Sequence, residues 1–266
     1  MYHKSKINTK YSNYSNRNFG VEVDTIVIHY TQLGFKDSYR VLTQSGKVSS
    51  HFLISEKGEV CQLVPLNYKA WHAGISCWRG KNDVNQNSIG IEIVNWGMEL
   101  KFLKDDVQVV KVQKFYNAQY FALAKVIDKL KKLYPKIIDT NIIGHSDITA
   151  KTLRKIDPGV AFDWRFLNLL GHGVYQEMEE EDDNNNNEVV LKLGDKGRNV
   201  ELLQRRLQNV GYEVRLNGVF DRNLANAIFA FKLHYFQHNI KESRSIDYGK
   251  WYKRFDNLIL KLVDSR

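Results

Sequence analysis

Residues 21–30 read VEVDTIVIHY, a run rich in β-branched side chains that turns almost continuously apolar at Ile26–Ile28. A strand with water on one face alternates apolar and polar residues, and a strand covered on both faces has no need to. The stretch is therefore expected to lie centrally in a covered sheet, with His29 near its end. Strand ends beside loops are where layered α/β domains hold reactive groups. A histidine in that place also has an ordinary structural reading.

Outward from this strand, HFLI (51–54), SEKGE (55–59) and VCQLV (60–64) read as a hairpin with Gly58 in its turn. SIGIEIVNW (88–96) reads as another strand, and Phe115, Ala118, Ala122, Val126 and Leu130 stand at helical spacing within about Val112–Leu133, ahead of Pro135. Strands and helices mixed in this way predict an α/β fold, a central mixed β-sheet flanked by helices.

Residues 177–188, EMEEEDDNNNNE, are too polar to bury apolar surface and read as a linker. They divide the chain into residues 21–176 and 189–266, and residues 1–20, without periodicity, read as an N-terminal arm with few contacts. After the linker, Val200, Leu203 and Leu207 form one helical stripe stopped by Gly211, and two more amphipathic segments follow, at NLANAIFAFKLHYF and WYKRFDNLILKLV. This predicts a small three-helix domain separable from the first, with a helical buttress packed on the first half as the alternative reading.

The chain has 266 residues, long enough for one large and one small domain. Its formal charge of +9 favours an anionic partner without choosing among nucleic acid, membrane and acidic polymer. The basic residues are scattered and carry no nucleic-acid-binding signature, so nucleic acid is not the expected partner. Cys61 and Cys77 fit neither a disulfide framework nor a cysteine-based metal site. No apolar run approaches the ~18–20 residues that span a bilayer, and residues 1–16 lack the apolar core of a secretory signal.

A second short apolar strand, NIIG (141–144), ends at His145, and RKIDPG (154–159) puts Asp157 in a Pro-Gly turn. Two imidazoles and one carboxylate make a three-ligand zinc set with a fourth position for water, although spacing alone leaves that open. Glu92 shares one strand face with Gly90 and Val94, opposite Ile89, Ile91 and Ile93. It reads either as half of a core salt bridge or as a general base tuned by burial and a nearby metal. Lys155 would project near the same metal, or stand on the surface as most lysines do.

The runs IVIHYT (26–31), SSHFLISEKGEVCQLV (49–64), WHAGISCWRGKNDVNQNSIGIEIVN (71–95) and GHSDITAKTLRKIDPGVAFDW (144–164) resemble, in order and spacing, the type 2 family of N-acetylmuramoyl-L-alanine amidases. The resemblance covers roughly Val21–Leu170. It implies zinc held by His29, His145 and Asp157, Glu92 as catalytic carboxylate, Lys155 as oxyanion stabiliser, and a substrate groove using Trp71, His72, Trp78, Arg79 and Asn87. The partners implied are peptidoglycan or soluble muropeptides, cut between the lactyl group of N-acetylmuramic acid and L-alanine. A non-catalytic peptidoglycan receptor on the same fold is the rival, but receptors can dispense with ligands that are all present in this sequence.

Residues 193–212 and 217–231 resemble a peptidoglycan-binding type 1 domain, with Phe231-Lys232 where that family usually has Phe-Gln. A wall-binding module favours the cell envelope or secretion, and the absence of a visible signal favours the cytoplasm. Nothing in the sequence sets an oligomeric state.

Overall fold

The computed structural model describes residues 13–44, 46–103, 106–176, 188–236 and 245–264. A five-stranded sheet organises the first half, in the spatial order 142–144, 25–30, 88–93, 52–54, 60–62. The first four strands run parallel and the last closes the antiparallel hairpin around Gly58, whose φ of 79° suits glycine. All six residues of Thr25–Tyr30 are buried, as the absence of alternation in the sequence implied.

The two sheet faces are covered differently. Ile26, Ile28 and Tyr30 pack with Leu123, Ile127 and Leu130 of the helix Asn117–Leu133. The predicted start of that helix near Val112 is corrected, because Val112 closes the strand Asp106–Val112. Tyr116 instead caps the helix, its N–H donating to Gln119 Oε1 at 3.0 Å. On the opposite face Val27 and Ile143 join a core with residues of all three helices of the second half, Arg198–Val210, Arg222–Tyr235 and Lys253–Asp264.

That shared core fits the buttress alternative better than a separable C-terminal domain. Trp78, Val84, Ile148 and Ala150 pack in one cluster with Val200, Leu207, Phe220, Ile228 and Phe255. The second half also lends a strand, Ser245–Asp247, to the hairpin formed by 98–102 and 106–112. Gly211, which ends its helix at φ 133°, lies so close to Trp78 that a Cβ there would stand 2.7 Å from the indole. The predicted linker lies, apart from Glu188, outside the described residues.

The N-terminal arm departs from expectation as well. Tyr14–Asn16 pairs antiparallel with Tyr68–Ala70. Arg17 follows, its guanidinium donating to the carbonyls of Asn85 (2.9 Å), Gln86 (2.6 Å) and Ser88 (3.0 Å). Those carbonyls precede or open the Glu92 strand, so Arg17 ties the arm to the start of that strand. Residues 1–12 of the predicted arm lie outside the described residues.

Lys232, the departure from Phe-Gln, is 2% exposed and donates to the carbonyls of Asp247 (2.8 Å) and Lys250 (2.9 Å). Burial lowers its pKa to about 7. Because the folded value lies below the unfolded one, near 10.4, the unfolded chain binds the extra proton between them, and this group's contribution to stability rises with pH across that window. Lys232→Met is therefore expected to lose ground to wild type as pH rises from about 6 to about 9.5. A difference in Tm that stayed constant over that range would contradict the assignment.

Candidate metal centre and active-site groove

The C-terminal ends of the parallel strands open into a groove of about 520 Å³. His29 and Glu92 are direct partners on neighbouring parallel strands, so their side chains leave the same face of the sheet. His145 follows the edge parallel strand, Ile142–Gly144. The turn carrying Asp157 is tied to it by the Ser146 N–H donating to Asp157 O at 2.9 Å.

These elements bring His29 Nδ1, His145 Nδ1 and Asp157 Oδ2 to within 3.0–3.1 Å of one another, all three residues being buried. The surrounding hydrogen bonds assign the protons. His145 Nε2 faces Ala73 O at 3.2 Å, and a carbonyl only accepts, so that nitrogen carries the proton and Nδ1 is bare in the neutral ring. Ser88 Oγ donates to Val84 O at 2.6 Å and so accepts from His72 Nε2 at 3.2 Å, which leaves His72 Nδ1 to accept from His29 Nε2 at 3.0 Å. His29 Nδ1 is then bare as well.

Three lone-pair atoms converge with no proton among them, an arrangement that a cation resolves. A tetrahedral ion with bonds of about 2.0–2.1 Å sets its donors roughly 3.3 Å apart, close to the spacing here. Burial lowers the pKa of His29 to about 4, helped by the neighbouring His145, so the ring is neutral at physiological pH as a ligand nitrogen must be. Among the described residues these three form the one group of His, Cys, Asp or Glu so placed.

Glu92 Oε2 is buried with no hydrogen-bond partner among the described residues. Burial, reinforced by the Asp157 charge, raises its pKa well above the ordinary carboxyl value. The salt-bridge reading of Glu92 therefore has no support among the ion pairs of the described residues. Lys155 is exposed and lines the groove, as does Trp71, whose indole N–H donates to Ser15 Oγ at 3.1 Å.

The other expected groove residues are placed differently. His72 borders the groove, but both its ring nitrogens are committed to the chain from His29 to Ser88, so it orients His29 from behind. Gly90 makes room for it, since a Cβ there would lie 2.4 Å from the ring. Trp78, Arg79 and Asn87 are corrections. Trp78 is 2% exposed, edge-on to Tyr212 at 5.3 Å; Arg79 donates to Thr140 Oγ1 at 2.7 Å; Asn87 Nδ2 donates to Asp24 Oδ1 at 2.7 Å. Asp24, Thr140 and Asn87 precede the parallel strands, so these contacts lie at the opposite end of the sheet from the groove. Sequence reasoning missed the helix Phe35–Gln44 and the loop after it, which supply Val41, Leu42 and Val48 to the groove wall.

A family model described as N-acetylmuramoyl-L-alanine amidase (Amidase_2) matches residues 19–160. The chain is 33% identical over 220 residues to the N-acetylmuramoyl-L-alanine amidase AmiD of Escherichia coli K12, covering 80% of this chain and 75% of that one. It is 41% identical over 123 residues to the 1,6-anhydro-N-acetylmuramyl-L-alanine amidase AmpD of Haemophilus influenzae, a match spanning 46% of this chain and 58% of that relative. Among solved structures, E. coli AmiD in complex with anhydro-N-acetylmuramic acid-L-Ala-D-γ-Glu-L-Lys superposes with a TM-score of 0.71 at 26% identity, over 94% of this chain and 93% of that one.

Proposed function

We propose, from the premise that the chain belongs to the Amidase_2 family of N-acetylmuramoyl-L-alanine amidases, a division of labour among the groove residues in which zinc is the resident metal. The enzyme hydrolyses the amide between the lactyl group of N-acetylmuramic acid, anhydro or not, and L-alanine of the stem peptide. The observation that carries the reading is the meeting of three unprotonated donor atoms beside an unpaired buried carboxyl.

His29 Nδ1, His145 Nδ1 and Asp157 would hold the metal, which when bound would supply Lewis-acid polarisation and lower the pKa of a bound water to about 7. Glu92 accepts the proton of the attacking water and returns it to the departing alanine nitrogen, work suited to a carboxyl whose pKa burial has raised. Lys155, at the groove rim, places a positive charge where the oxyanion develops. Trp71 offers a ring face to the sugar.

Purified protein is expected to carry about one zinc per chain, to lose turnover of a soluble muropeptide when a chelator removes it, and to regain turnover with added zinc. Full activity in protein shown by elemental analysis to be metal-free would end this reading.

A further inference from the structure

Asp147 stands two residues after His145 and is 0% exposed. A carboxylate so buried is costly unless donors fill its oxygens. Oδ1 accepts from Tyr212 Oη at 2.6 Å, and Oδ2 accepts from Gly144 N–H at 2.8 Å and from His234 Nδ1 at 2.7 Å. Tyr212 and His234 both belong to the helical half of the chain. The His234 ring is itself held, stacked on Trp164 at 3.8 Å and 17°.

The segment gripped in this way carries much of the metal centre. Gly144 and Asp147 bracket His145, and the Ser146 N–H between them holds the Asp157 carbonyl. There is little slack, since a Cβ on Gly144 would lie 2.6 Å from Pro158 Cδ. Two of the three donor residues are thus fixed through one carboxylate, and two of that carboxylate's three donors come from outside the catalytic half.

We propose that Tyr212 and His234 are positioning residues of the metal centre, acting through Asp147 to set the placement of His145 and Asp157, so that the helical half helps to determine metal affinity. This rests on the metal-dependent reading above. A hydrogen-bonding partner behind a ligand typically carries 10–100-fold in metal affinity. Here the influence passes through one further residue, so the lower end of that range applies.

The test uses the full-length chain and measures zinc affinity by competition with a chromophoric chelator, alongside kcat, KM and Tm. Tyr212→Phe and His234→Leu are each expected to weaken zinc binding about 10-fold, with kcat at limiting zinc falling and KM little changed. His234→Asn, whose amide N–H can reach toward the same carboxylate oxygen, should recover much of the loss. The control is Asn226→Ala, which removes the bond from Asn226 Nδ2 to Lys151 O across the same junction without touching Asp147. A merely structural role would move Tm in all these variants and leave zinc affinity unchanged.

Zinc affinities of Tyr212→Phe and His234→Leu no weaker than that of the control, in folded protein, would overturn the inference while leaving the amidase reading intact. Wild-type protein that binds no zinc would overturn both, which separates the two failures.

Discussion

Glu92→Gln is expected to retain its zinc within about twofold and to lose at least ~10²-fold in kcat, the usual scale of lost general acid–base help. The side chain leaves the same sheet face as His29 but is not among the converging donors, so its removal should not open the metal centre. His29→Ala should instead lose zinc and turnover together, because Nδ1 is one of three donors. If Glu92→Gln released zinc as readily as His29→Ala, Glu92 would be a ligand.

A stability signature accompanies this. The folded pKa of Glu92 lies above its unfolded value, so ionising it opposes folding at any pH above the ordinary carboxyl range. In metal-free protein, Glu92→Gln should therefore melt above wild type at pH 7, with the gap closing as pH falls toward about 4, where both side chains are neutral. A carboxyl that costs stability suits the proton carrier proposed for Glu92. Leu42 of the helix Phe35–Gln44 packs with Leu53, the neighbour of Glu92 on the adjacent strand, and with Val94, two residues beyond Glu92, and so helps to cover that face.

The parts of this site that were legible in the sequence are those set by short-range rules. An unbroken apolar run marks a doubly covered strand, and His29 and His145 stand at the ends of two such runs, so the topology of parallel strands brings them together. Glu92 was conspicuous because a carboxyl inside SIGIEIV conflicts with its surroundings. Beyond Trp71 and His72, the segment 73–87 was not legible. It winds along the sheet between the groove and the opposite end, and where each side chain lands depends on partners far along the chain, such as Tyr212 for Trp78 and Thr140 for Arg79. Composition marked residues 1–20 as an irregular polar arm, yet Tyr14–Asn16 forms a paired strand, and one arginine among several basic residues gives no sign that three strand-leading carbonyls await it. The polar run at 177–188 suggested independence of the two halves, yet a linker's composition reports only on the linker. Whether the halves share a core is decided by apolar faces that face each other in space, and those stripes look the same in sequence whether they pack within a domain or across two.

Removal of residues 188–266 is accordingly expected to yield no soluble, active fragment, even on small muropeptides that need no wall binding. The loss uncovers Trp78, Val84, Ile143 and Ile148 on the sheet face that carries His29 and the loops above it. Full burial of a tryptophan alone is worth roughly 4–6 kcal/mol, against a net domain stability of about 5–15 kcal/mol. Truncation also takes Tyr212 and His234 from Asp147, and a buried carboxylate stripped of its partners costs a further ~3–5 kcal/mol. The hairpin 98–102 and 106–112 would in addition regain a bare edge where Ser245–Asp247 had paired. The measurements are size-exclusion chromatography, near-ultraviolet circular dichroism and turnover of a soluble muropeptide, each compared with the full chain. A monodisperse fragment with near wild-type kcat would mean that the shared core is dispensable, and that the helical half serves some purpose other than completing the catalytic fold.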